Sequence, residues 1–308
     1  MSIVVIGAVF VDIKGYPLTQ YIPAGRNSGR IHQVHGGVSR NIAEDIANIE
    51  LRPTFVSVVD ESGISTDVIE KLKKHKVNTD YIRRTEDGLG TWLAVFDQNG
   101  DVVASISKRP DLSEILSILK EQGDEIFKNA DSILVEIDME PEIVKECFRL
   151  AEKYDLPVYA VVSNMSIAIE RRDLIMNTAC IVCNQQEAGI LFTEEYEGKT
   201  PEEMQEILVH KIAQAKINSM VVTMGGQGSV YASLNGESGF CPAQKVDVVD
   251  TTGAGDAFFS GVAIGLTYHK SLAEACEIGT RLASSVIATK ENVCPRYQPE
   301  EFGINYSE

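Results

Sequence analysis

The 308-residue sequence is poor in cysteine and in positive charge, and it contains no apolar run long enough to cross a membrane. The absence of an 18-residue apolar stretch argues against a membrane-spanning helix. The first residues lack a basic segment and a cleavage site, so they predict a buried strand, not a signal peptide. The net charge of −17 argues against nucleic acid or an anionic membrane as the main partner, since both require basic surface. An anionic small molecule stays compatible, because backbone amides bind phosphate even in acidic proteins.

Six cysteines are too few for a disulfide scaffold of this length. Cys180 and Cys183 form the single CxxC pattern, within an apolar run and without a second pair or a histidine cluster nearby. We therefore expect reduced, buried thiols and a cytoplasmic location, and we favour these over a zinc or redox site.

Apolar, β-branched runs alternate with helical patterns along most of the chain. This alternation predicts one α/β domain over residues 1–308, with a mostly parallel central sheet and helices on both faces. The last third differs, with two strands near 229–240 and two long helices at about 255–267 and 271–289. The other predicted strands are 3–9, 54–59, 132–136, 157–162, 180–183 and 220–223, and the other predicted helices are 38–49, 64–75, 141–153 and 201–216.

Two polar, turn-rich segments, at about 13–34 and 81–107, interrupt this alternation. The second contains two short strand patterns on either side of Asn99-Gly100, a dipeptide typical of tight hairpin turns. Neither segment fits a crossover helix. We expect both to form a small β lid at the edge of the sheet, with a pair of surface loops as the alternative.

The most informative motif is the run Asp-Thr-Thr-Gly-Ala-Gly-Asp from Asp250 to Asp256, followed directly by a helical pattern. Gly253 and Gly255 permit a tight turn with exposed N–H groups, and the helix dipole adds positive potential, which together favour an anion hole. Such a hole holds and neutralises a phosphoryl group during transfer. Asp256 fits a base that accepts the proton of an attacking hydroxyl, with its pKa lowered by the dipole, or a simple helix cap. We favour the base, because the run is longer than a cap requires.

Two further motifs place polar residues at helix starts. Gly36 and Gly37 precede a helix and allow a ligand to approach the backbone, with Asn41 on the first helical turn; an ordinary turn is the alternative. Asn184 and Glu187 follow a strand and suit the orientation of metal-bound water. They equally suit a helix-capping box.

A fourth motif places Thr223 at the end of a strand that runs into a glycine-rich turn with Gly225 and Gly228. This arrangement suits contact with nucleotide phosphates, although it is not specific by itself. No Walker A loop is present, and the first strand is not followed by GxGxxG, which argues against a dinucleotide oxidoreductase.

These four motifs, in this order, resemble those of the ribokinase-like (pfkB) carbohydrate kinases over residues 3–296. The resemblance implies a ribokinase-like fold, ATP and Mg²⁺ as cofactors, K⁺ in some relatives, and a homodimer formed through the lid. Within the family, the stretches 11–16, 29–44 and 224–239 look most like those of pseudouridine kinases, and Arg40 replaces the alanine usual in ribokinases. This implies ATP-dependent phosphorylation of the 5′-hydroxyl of pseudouridine.

The alternatives of the same chemistry are a ribokinase, another sugar kinase and a purine-nucleoside kinase. A non-catalytic nucleoside-binding protein and a structural oligomer with a degenerate site are the alternatives of other classes.

The resemblance also implies a role for each matching residue. Asp256 would be the base, and the anion hole would comprise the amides of Gly253, Ala254 and Gly255. The substrate would contact Asp12, Lys14, Gly36, Gly37 and Asn41. ATP would contact Asn184, Thr223, Gly225 and Gly228. Magnesium would be held through water by Glu187, and a monovalent cation by Asp250 and the carbonyl of Thr252.

Three positions depart from the family pattern. Phe10 stands where relatives commonly have asparagine, which removes one hydrogen bond to the sugar and offers an aromatic face to a base or sugar. Ser39 replaces a glycine, and the sequence through Ser163 replaces the Asp-Pro of pseudouridine kinases. These departures concern the acceptor and not the phosphoryl transfer.

Overall fold

Two β-sheets organise the chain, and this computed structural model describes residues 1–98 and 101–305. The predicted turn at Asn99-Gly100 lies outside the described residues. In chain order, the strands are β1 (Ile3–Ile6), β2 (Phe10–Pro17), β3 (Gly29–Gly36), β4 (Thr54–Val59), β5 (Ile82–Arg84), β6 (Gly90–Phe96), β7 (Val102–Lys108), β8 (Ser132–Glu136), β9 (Val158–Val161), β10 (Cys180–Asn184), β11 (Ser219–Thr223), β12 (Ser229–Ser233) and β13 (Ser238–Cys241).

The helices lie between these strands, with two long ones at the end. They are α1 (Val38–Asn48), α2 (Gly63–Lys74), α3 (Ser113–Lys128), α4 (Pro141–Lys153), α5 (Met165–Ala168), α6 (Arg172–Met176), α7 (Gln185–Phe192), α8 (Pro201–Ala215), α9 (Ala254–Thr267) and α10 (Leu272–Ile287). The predicted helices agree with α1, α2, α4 and α8 to within one residue at each end.

The large sheet has nine strands in the order β13-β12-β11-β10-β9-β8-β1-β4-β5. All neighbours pair in parallel except β12, which is antiparallel to both β11 and β13. Side chains of β1 alternate between two apolar cores, with Val4 and Ile6 in one and Ile3 and Val5 in the other. The sheet is therefore buried on both faces, which explains why its strands are almost wholly apolar.

The same alternation separates the CxxC cysteines. Cys180 belongs to one core and Cys183 to the other, so the two thiols point to opposite faces of the sheet. All six cysteines are buried and unpaired by disulfides, as predicted. The cytoplasmic location stays a prediction.

The small sheet, in the order β3-β2-β6-β7, is built from the two segments predicted to form the lid, and we refer to it as the lid. Its bounds differ from those predicted. β2 already begins at Phe10, and β5 pairs with β4 at the edge of the large sheet instead of joining the lid. The reason for the second difference is burial, because Ile82 of β5 packs against one of the two main cores.

The prediction also missed α3, although buried Ile115, Ile118, Leu119 and Ile126 recur along it at helical spacing. In the part of the chain that the structure describes, every helix is too short or too polar to cross a lipid bilayer. The parallel strands end on one side of the large sheet. Functional side chains of open α/β folds gather at that edge.

Candidate active site

The Asp250–Asp256 motif turns sharply into α9. Gly253 is the N-cap residue, with φ of 82°, in the left-handed region that glycine tolerates best. A Cβ atom there would lie 2.1 Å from the backbone oxygen of Asn292, so only glycine fits between the two segments. The predicted strand-to-helix turn is therefore fixed both by backbone conformation and by close packing.

The amides of this turn are not equivalent. The N–H of Ala254 donates to the carbonyl of Thr251 over 3.2 Å, so this predicted anion-hole donor already has a partner. The amides of Gly255 and Asp256 lie in the first turn of α9, where a helix offers no acceptor of its own. A Cβ on Gly255 would meet no atom within 4 Å, which leaves open space beside these donors.

Asp256 lies half-buried at the start of α9 and accepts a hydrogen bond from Nδ2 of Asn41 over 2.6 Å. Burial raises the pKa of Asp256 to about 6, against the opposing effects of the Asn41 hydrogen bond and the charge of Arg40. The sequence-based expectation of a lowered pKa is therefore wrong, because desolvation outweighs the helix dipole. A carboxylate with this pKa is ionised at neutral pH and is a stronger base than an exposed one.

Asp12 faces the same region from the lid. A Cβ on Gly36 would lie 2.7 Å from Oδ1 of Asp12, so this glycine makes room for the carboxylate. Gly37 has φ of 96°, and α1 begins directly after it. Burial raises the pKa of Asp12, whereas the charges of Lys14 and Arg40 oppose the shift. The charge of Asp12 in turn raises the pKa of Asp256, so the two carboxylates share one electrostatic environment.

Lys14 is buried, with only 8% of its surface exposed. Within the described residues, its ammonium group forms neither a hydrogen bond nor an ion pair, while its charge lowers the pKa values of Asp12 and Asp250. Buried lysines are rare unless they are paired. The Nζ atom itself keeps contact with solvent and is open to a ligand with a negative or carbonyl oxygen.

Three aromatic rings continue the face of the lid that carries Asp12 and Lys14. Strand alternation on β2 and register with β6 place Tyr16, Trp92 and Phe96 on this face. The rings of Tyr16 and Phe96 stack with centroids 4.8 Å apart, and Trp92 meets Phe96 edge-on at 6.3 Å. All three side chains are partly exposed. They form a partly exposed aromatic cluster on the face of the lid that carries Asp12 and Lys14.

A cavity of about 250 Å³ opens between Asp256 and the ends of β10 and β11. It brings together predicted residues from separate motifs. These lining residues include Asn184, Glu187, Thr223, Gly255 and Asp256. Gly225 and Gly228 lie in the next turn, outside the lining. Gly225 has open space around its Cα, whereas a Cβ on Gly228 would lie 2.2 Å from the oxygen of Cys241.

Asn184 and Glu187 form a complete capping box at the start of α7. Oδ1 of Asn184 accepts from the amide of Glu187 over 2.8 Å, and Oε2 of Glu187 accepts from the amide of Asn184 over 2.9 Å. Burial raises the pKa of Glu187 despite the hydrogen bond from Asn184. The capping alternative is thus present in the structure, and it orients both side chains at the cavity wall.

Asp250 is held in the same turn by the backbone amide of Thr252 over 2.9 Å. Burial raises the pKa of Asp250, but hydrogen bonds from Thr252 and the charge of Lys14 outweigh it, and the pKa lies below its ordinary value. Asp250 is therefore ionised under ordinary conditions.

Phe10 is partly buried and lies on the face of β2 that carries Asp12. A Cβ on Gly90 would lie 2.6 Å from the Phe10 ring, and the ring packs against one of the main cores. The expectation that Phe10 contacts a base or sugar stays a prediction.

Sequence reasoning missed a buried carboxylate at the end of β8. Glu136 accepts hydrogen bonds through Oε2 from Ser39 over 2.7 Å and from the amide of Ala8 over 2.9 Å. Burial raises the pKa of Glu136, and the neighbouring Asp138 carboxylate raises it further. The sequence did contain a signal for this residue, because Glu136 is an acid at the end of the apolar strand β8. The ends of parallel strands converge on the functional site in such folds.

The departures at Ser39 and Ser163 belong to this cluster. The hydroxyl of Ser163 donates towards Glu136 over 3.2 Å and Asp138 over 2.7 Å. Arg109, directly after the last lid strand, pairs with Asp138 over 3.0 Å. The cluster therefore connects the floor beside the cavity with the end of the lid.

Arg40, singled out by its departure from ribokinases, is fully buried and touches no open cleft. Its guanidinium pairs with Glu44 and donates to the carbonyl of His35. It thus fixes the strand that carries Gly36 to α1.

Comparison with known proteins identifies the family of the chain. The sequence profile of the pfkB family carbohydrate kinases matches residues 1–295. The chain is 35% identical over 293 residues to the guanosine-inosine kinase of Exiguobacterium acetylicum, which covers 94% of this chain and 96% of that protein. It is 25% identical over 266 residues to the pseudouridine kinase of Escherichia coli (strain K12), covering 85% of this chain and 82% of that protein.

Solved structures show the same architecture. The ribokinase of Arabidopsis thaliana, determined with ribose and ATP, matches with a TM-score of 0.83 and 21% identity over 97% of both chains. A ribokinase from Cryptococcus neoformans, determined with ADP, matches with a TM-score of 0.75 and 18% identity over 96% of this chain and 97% of that one. The predicted ribokinase-like α/β fold is confirmed.

Proposed function

The chain belongs to the pfkB family of carbohydrate kinases, and we propose that it phosphorylates the 5′-hydroxyl of a purine nucleoside of the guanosine–inosine class with ATP. The observation that carries the nucleoside assignment is the aromatic surface of Tyr16, Trp92 and Phe96 on the ligand-facing side of the lid. A nucleobase stacks on such rings, whereas a free sugar offers no aromatic face. The relative named guanosine-inosine kinase, at 35% identity over nearly the whole chain, supports a purine.

In this proposal the nucleoside lies under the lid, with its ribose between Asp12 and Asn41 and its base on the aromatic surface. The glycines at 36 and 37 leave space for the sugar. Lys14 donates to a carbonyl oxygen of the base, which a 6-oxopurine supplies. Lys14 forms no hydrogen bond or ion pair within the described residues and its Nζ keeps contact with solvent, so the ammonium group is available to a ligand acceptor.

The reaction forms a bond between the 5′-oxygen and the γ-phosphorus of ATP and breaks the bond from that phosphorus to the bridging oxygen of ADP. Asp256 takes the hydroxyl proton and later releases it to water. The amides of Gly255 and Asp256 donate to the transferring phosphoryl group, aided by the dipole of α9. Thr223 and the turn at Gly225 and Gly228 line the path of the ATP phosphates.

Magnesium, when bound, neutralises the β- and γ-phosphates of ATP. Glu187 and Asn184 are the residues that would hold its water shell. Glu187 fits this role because it uses only Oε2 for the Asn184 amide, and Oε1 forms no hydrogen bond within the described residues. Across residues 1–98 and 101–305, no cluster of three acidic, histidine or cysteine side chains is built to hold a metal. The substrate phosphates would therefore complete the site, as Mg²⁺ commonly requires.

Asp250 and the carbonyl of Thr252 are the proposed ligands of a monovalent cation such as K⁺. The low pKa of Asp250 keeps it ionised, as such a ligand must be. Activity in KCl is then expected to exceed activity in tetramethylammonium chloride at equal ionic strength. Equal activities would remove this part of the proposal.

A second copy of the chain is the proposed partner of the lid. The face opposite Asp12 carries Ile31, Leu93 and Ile106, which are 74%, 41% and 69% exposed. Exposed apolar patches of this kind indicate protein contacts. Sedimentation velocity is expected to give a dimer for the wild type and a monomer for Ile106→Lys, whereas a monomeric wild type would contradict the partner.

Pseudouridine is the second candidate acceptor. It is favoured by the likeness of residues 11–16 and 29–44 to pseudouridine kinases and by the 25% identity to the enzyme of that name. ADP release with guanosine, inosine, pseudouridine, adenosine and ribose, followed by mass spectrometry of the products, separates the candidates. We expect the highest kcat/KM with inosine or guanosine. Preference for ribose would refute the nucleoside proposal, and no ADP release with any acceptor would favour a binding protein.

A further inference from the structure

Asn292 lies in the loop that follows α10 and reaches the catalytic turn from behind. It is buried, with 5% of its surface exposed. Its Nδ2 donates to the carbonyl of His35 over 2.8 Å and to Oδ1 of Asn41 over 3.3 Å. Both N–H groups of this amide are thus used. No motif in the sequence pointed to it.

These contacts extend the hydrogen bond between Asn41 and Asp256 into a chain of three residues. Asn292 donates to the oxygen of the Asn41 amide, and the nitrogen of the same amide donates to Asp256. A reversed Asn41 would place its oxygen against the Asp256 carboxylate and its nitrogen against the donor of Asn292. Both reversed contacts are repulsive, so the amide has one favourable orientation.

The loop that carries Asn292 is itself fixed to α1. The amide of Cys294 donates to Oδ1 of Asp45 over 2.7 Å, and Nδ2 of Asn48 donates to the Cys294 carbonyl over 2.6 Å. Asn41, Asp45 and Asn48 are spaced four and three residues apart, so they line one face of the helix. These three side chains, on one face of α1, therefore hold the loop that follows α10 next to the turn that ends at Asp256.

We propose that Asn292 is a positioning residue, which orients Asn41 so that its N–H group stabilises the ionised form of the catalytic carboxylate at position 256. The proposal rests on the proposed role of Asp256 as the base. Asn292 touches neither the acceptor nor ATP in this view, and it acts only through Asn41.

The test is a double-mutant cycle with Asn292→Leu, Asn41→Ala and the double variant. Leucine keeps the size of asparagine but removes both donors, and His35 keeps its hydrogen bond from Arg40. The side-chain carboxyl of Asp256 is titrated by ¹³C NMR in the protein without substrates. Glu291→Gln, an exposed neighbour in the same loop, is the matched control.

We expect Asn292→Leu to raise the pKa of Asp256 by about one unit, a tenfold change in its ionisation constant. In the Asn41→Ala background the same change is expected to have no further effect. Equal shifts in both backgrounds, or no shift in the wild-type background, would overturn the proposal. Asn292→Ser, whose shorter hydroxyl does not reach Asn41, replaces the leucine variant if that protein does not fold.

Kinetics supply a second readout. The base must be ionised, so Asn292→Leu is expected to lower kcat about fivefold near pH 6 and to match the wild type near pH 8.5. A merely structural role would lower kcat equally at both values. The titration needs no substrate. A wild-type protein that phosphorylates no nucleoside would therefore refute the proposed function without deciding the role of Asn292.

Discussion

Nδ2 of Asn41 lies 2.6 Å from Oδ2 of Asp256, which joins the first turns of two helices whose residues are 215 positions apart in the sequence. One helix follows the Gly36-Gly37 pair and the other follows the Asp250–Asp256 turn. The contact places the proposed sugar site directly next to the proposed base.

The first prediction concerns the loss of activity at acidic pH, the acid limb of the pH–rate profile. Burial raises the pKa of Asp256 to about 6, and the base works only when ionised, so kcat/KM is expected to fall as the pH drops through about 6. A pH–rate profile between pH 4.5 and 9 measures this directly. An acid limb near pH 4, typical of an exposed carboxylate, would contradict the buried-base assignment.

The aromatic surface is expected to bind the base. Trp92→Ala removes a ring from this face of the lid, and loss of stacking worth about 1–3 kcal/mol per base corresponds to a rise in nucleoside KM of about 5- to 150-fold. Thr91→Ala, on the opposite face of the same strand, is the control. A change in the KM for ATP, or equal effects of the two variants, would argue against a base site here.

The buried cluster around Glu136 depends on the absence of a side chain at Gly7. A Cβ at this position would lie 2.0 Å from Oγ of Ser39 and 2.4 Å from Oε2 of Glu136. Gly7→Ala is expected to lower the free energy of unfolding by about 1–3 kcal/mol, as overpacked cores do.

The second variant, Ser39→Gly, removes one of the two obstacles to an alanine at Gly7. Urea unfolding of Gly7→Ala with and without Ser39→Gly is expected to show partial recovery in the pair. Strictly additive losses would show that the contact with Ser39 does not matter.

The raised pKa of the buried Asp45 predicts that the stability of the protein depends on pH. Burial raises its pKa to about 8, although the amide of Cys294 opposes the shift. The folded protein therefore retains a proton that the unfolded chain, with a pKa of 3.8, releases. The contribution of Asp45 to the free energy of unfolding is therefore largest below about pH 4. It is lost as the pH rises through about 8.

The matched variant is Asp45→Asn, which has no titration but keeps an oxygen acceptor for Cys294. The difference in unfolding free energy between wild type and variant is expected to decline steadily from pH 5 to pH 8. Denaturant curves at each pH give this difference. A constant difference would mean that Asp45 is not protonated in the folded state.

Local patterns were sufficient to predict most strands of the large sheet, the turn that ends at Asp256 and five of the residues that line the cavity. The run ending at Asp256 encodes its own turn through glycine, and the apolar strands encode their burial. In contrast, Asn292 and Glu136 gain their roles only where distant segments meet, and neither lies in a recognisable motif. The raised pKa of Asp256 likewise depends on desolvation by the whole fold, which the helix start alone does not reveal.

The lid shows the same division. Alternation along β2 places Asp12, Lys14 and Tyr16 on one face, and this can be predicted from the sequence alone. The register that adds Trp92 and Phe96 to that face depends on pairing across about 80 residues.

Replacement of Asp256 by asparagine tests the central claim most directly. Turnover with inosine and Mg-ATP, followed by ADP release and identification of the nucleoside 5′-monophosphate, is compared with ATP affinity from calorimetry. Asp247→Asn, an exposed acid upstream in the same loop, is the control. We expect Asp256→Asn to lower kcat by about 10²- to 10⁴-fold with nearly unchanged ATP affinity, as loss of a general base does. Near wild-type turnover in this variant would contradict the assignment of Asp256 as the base.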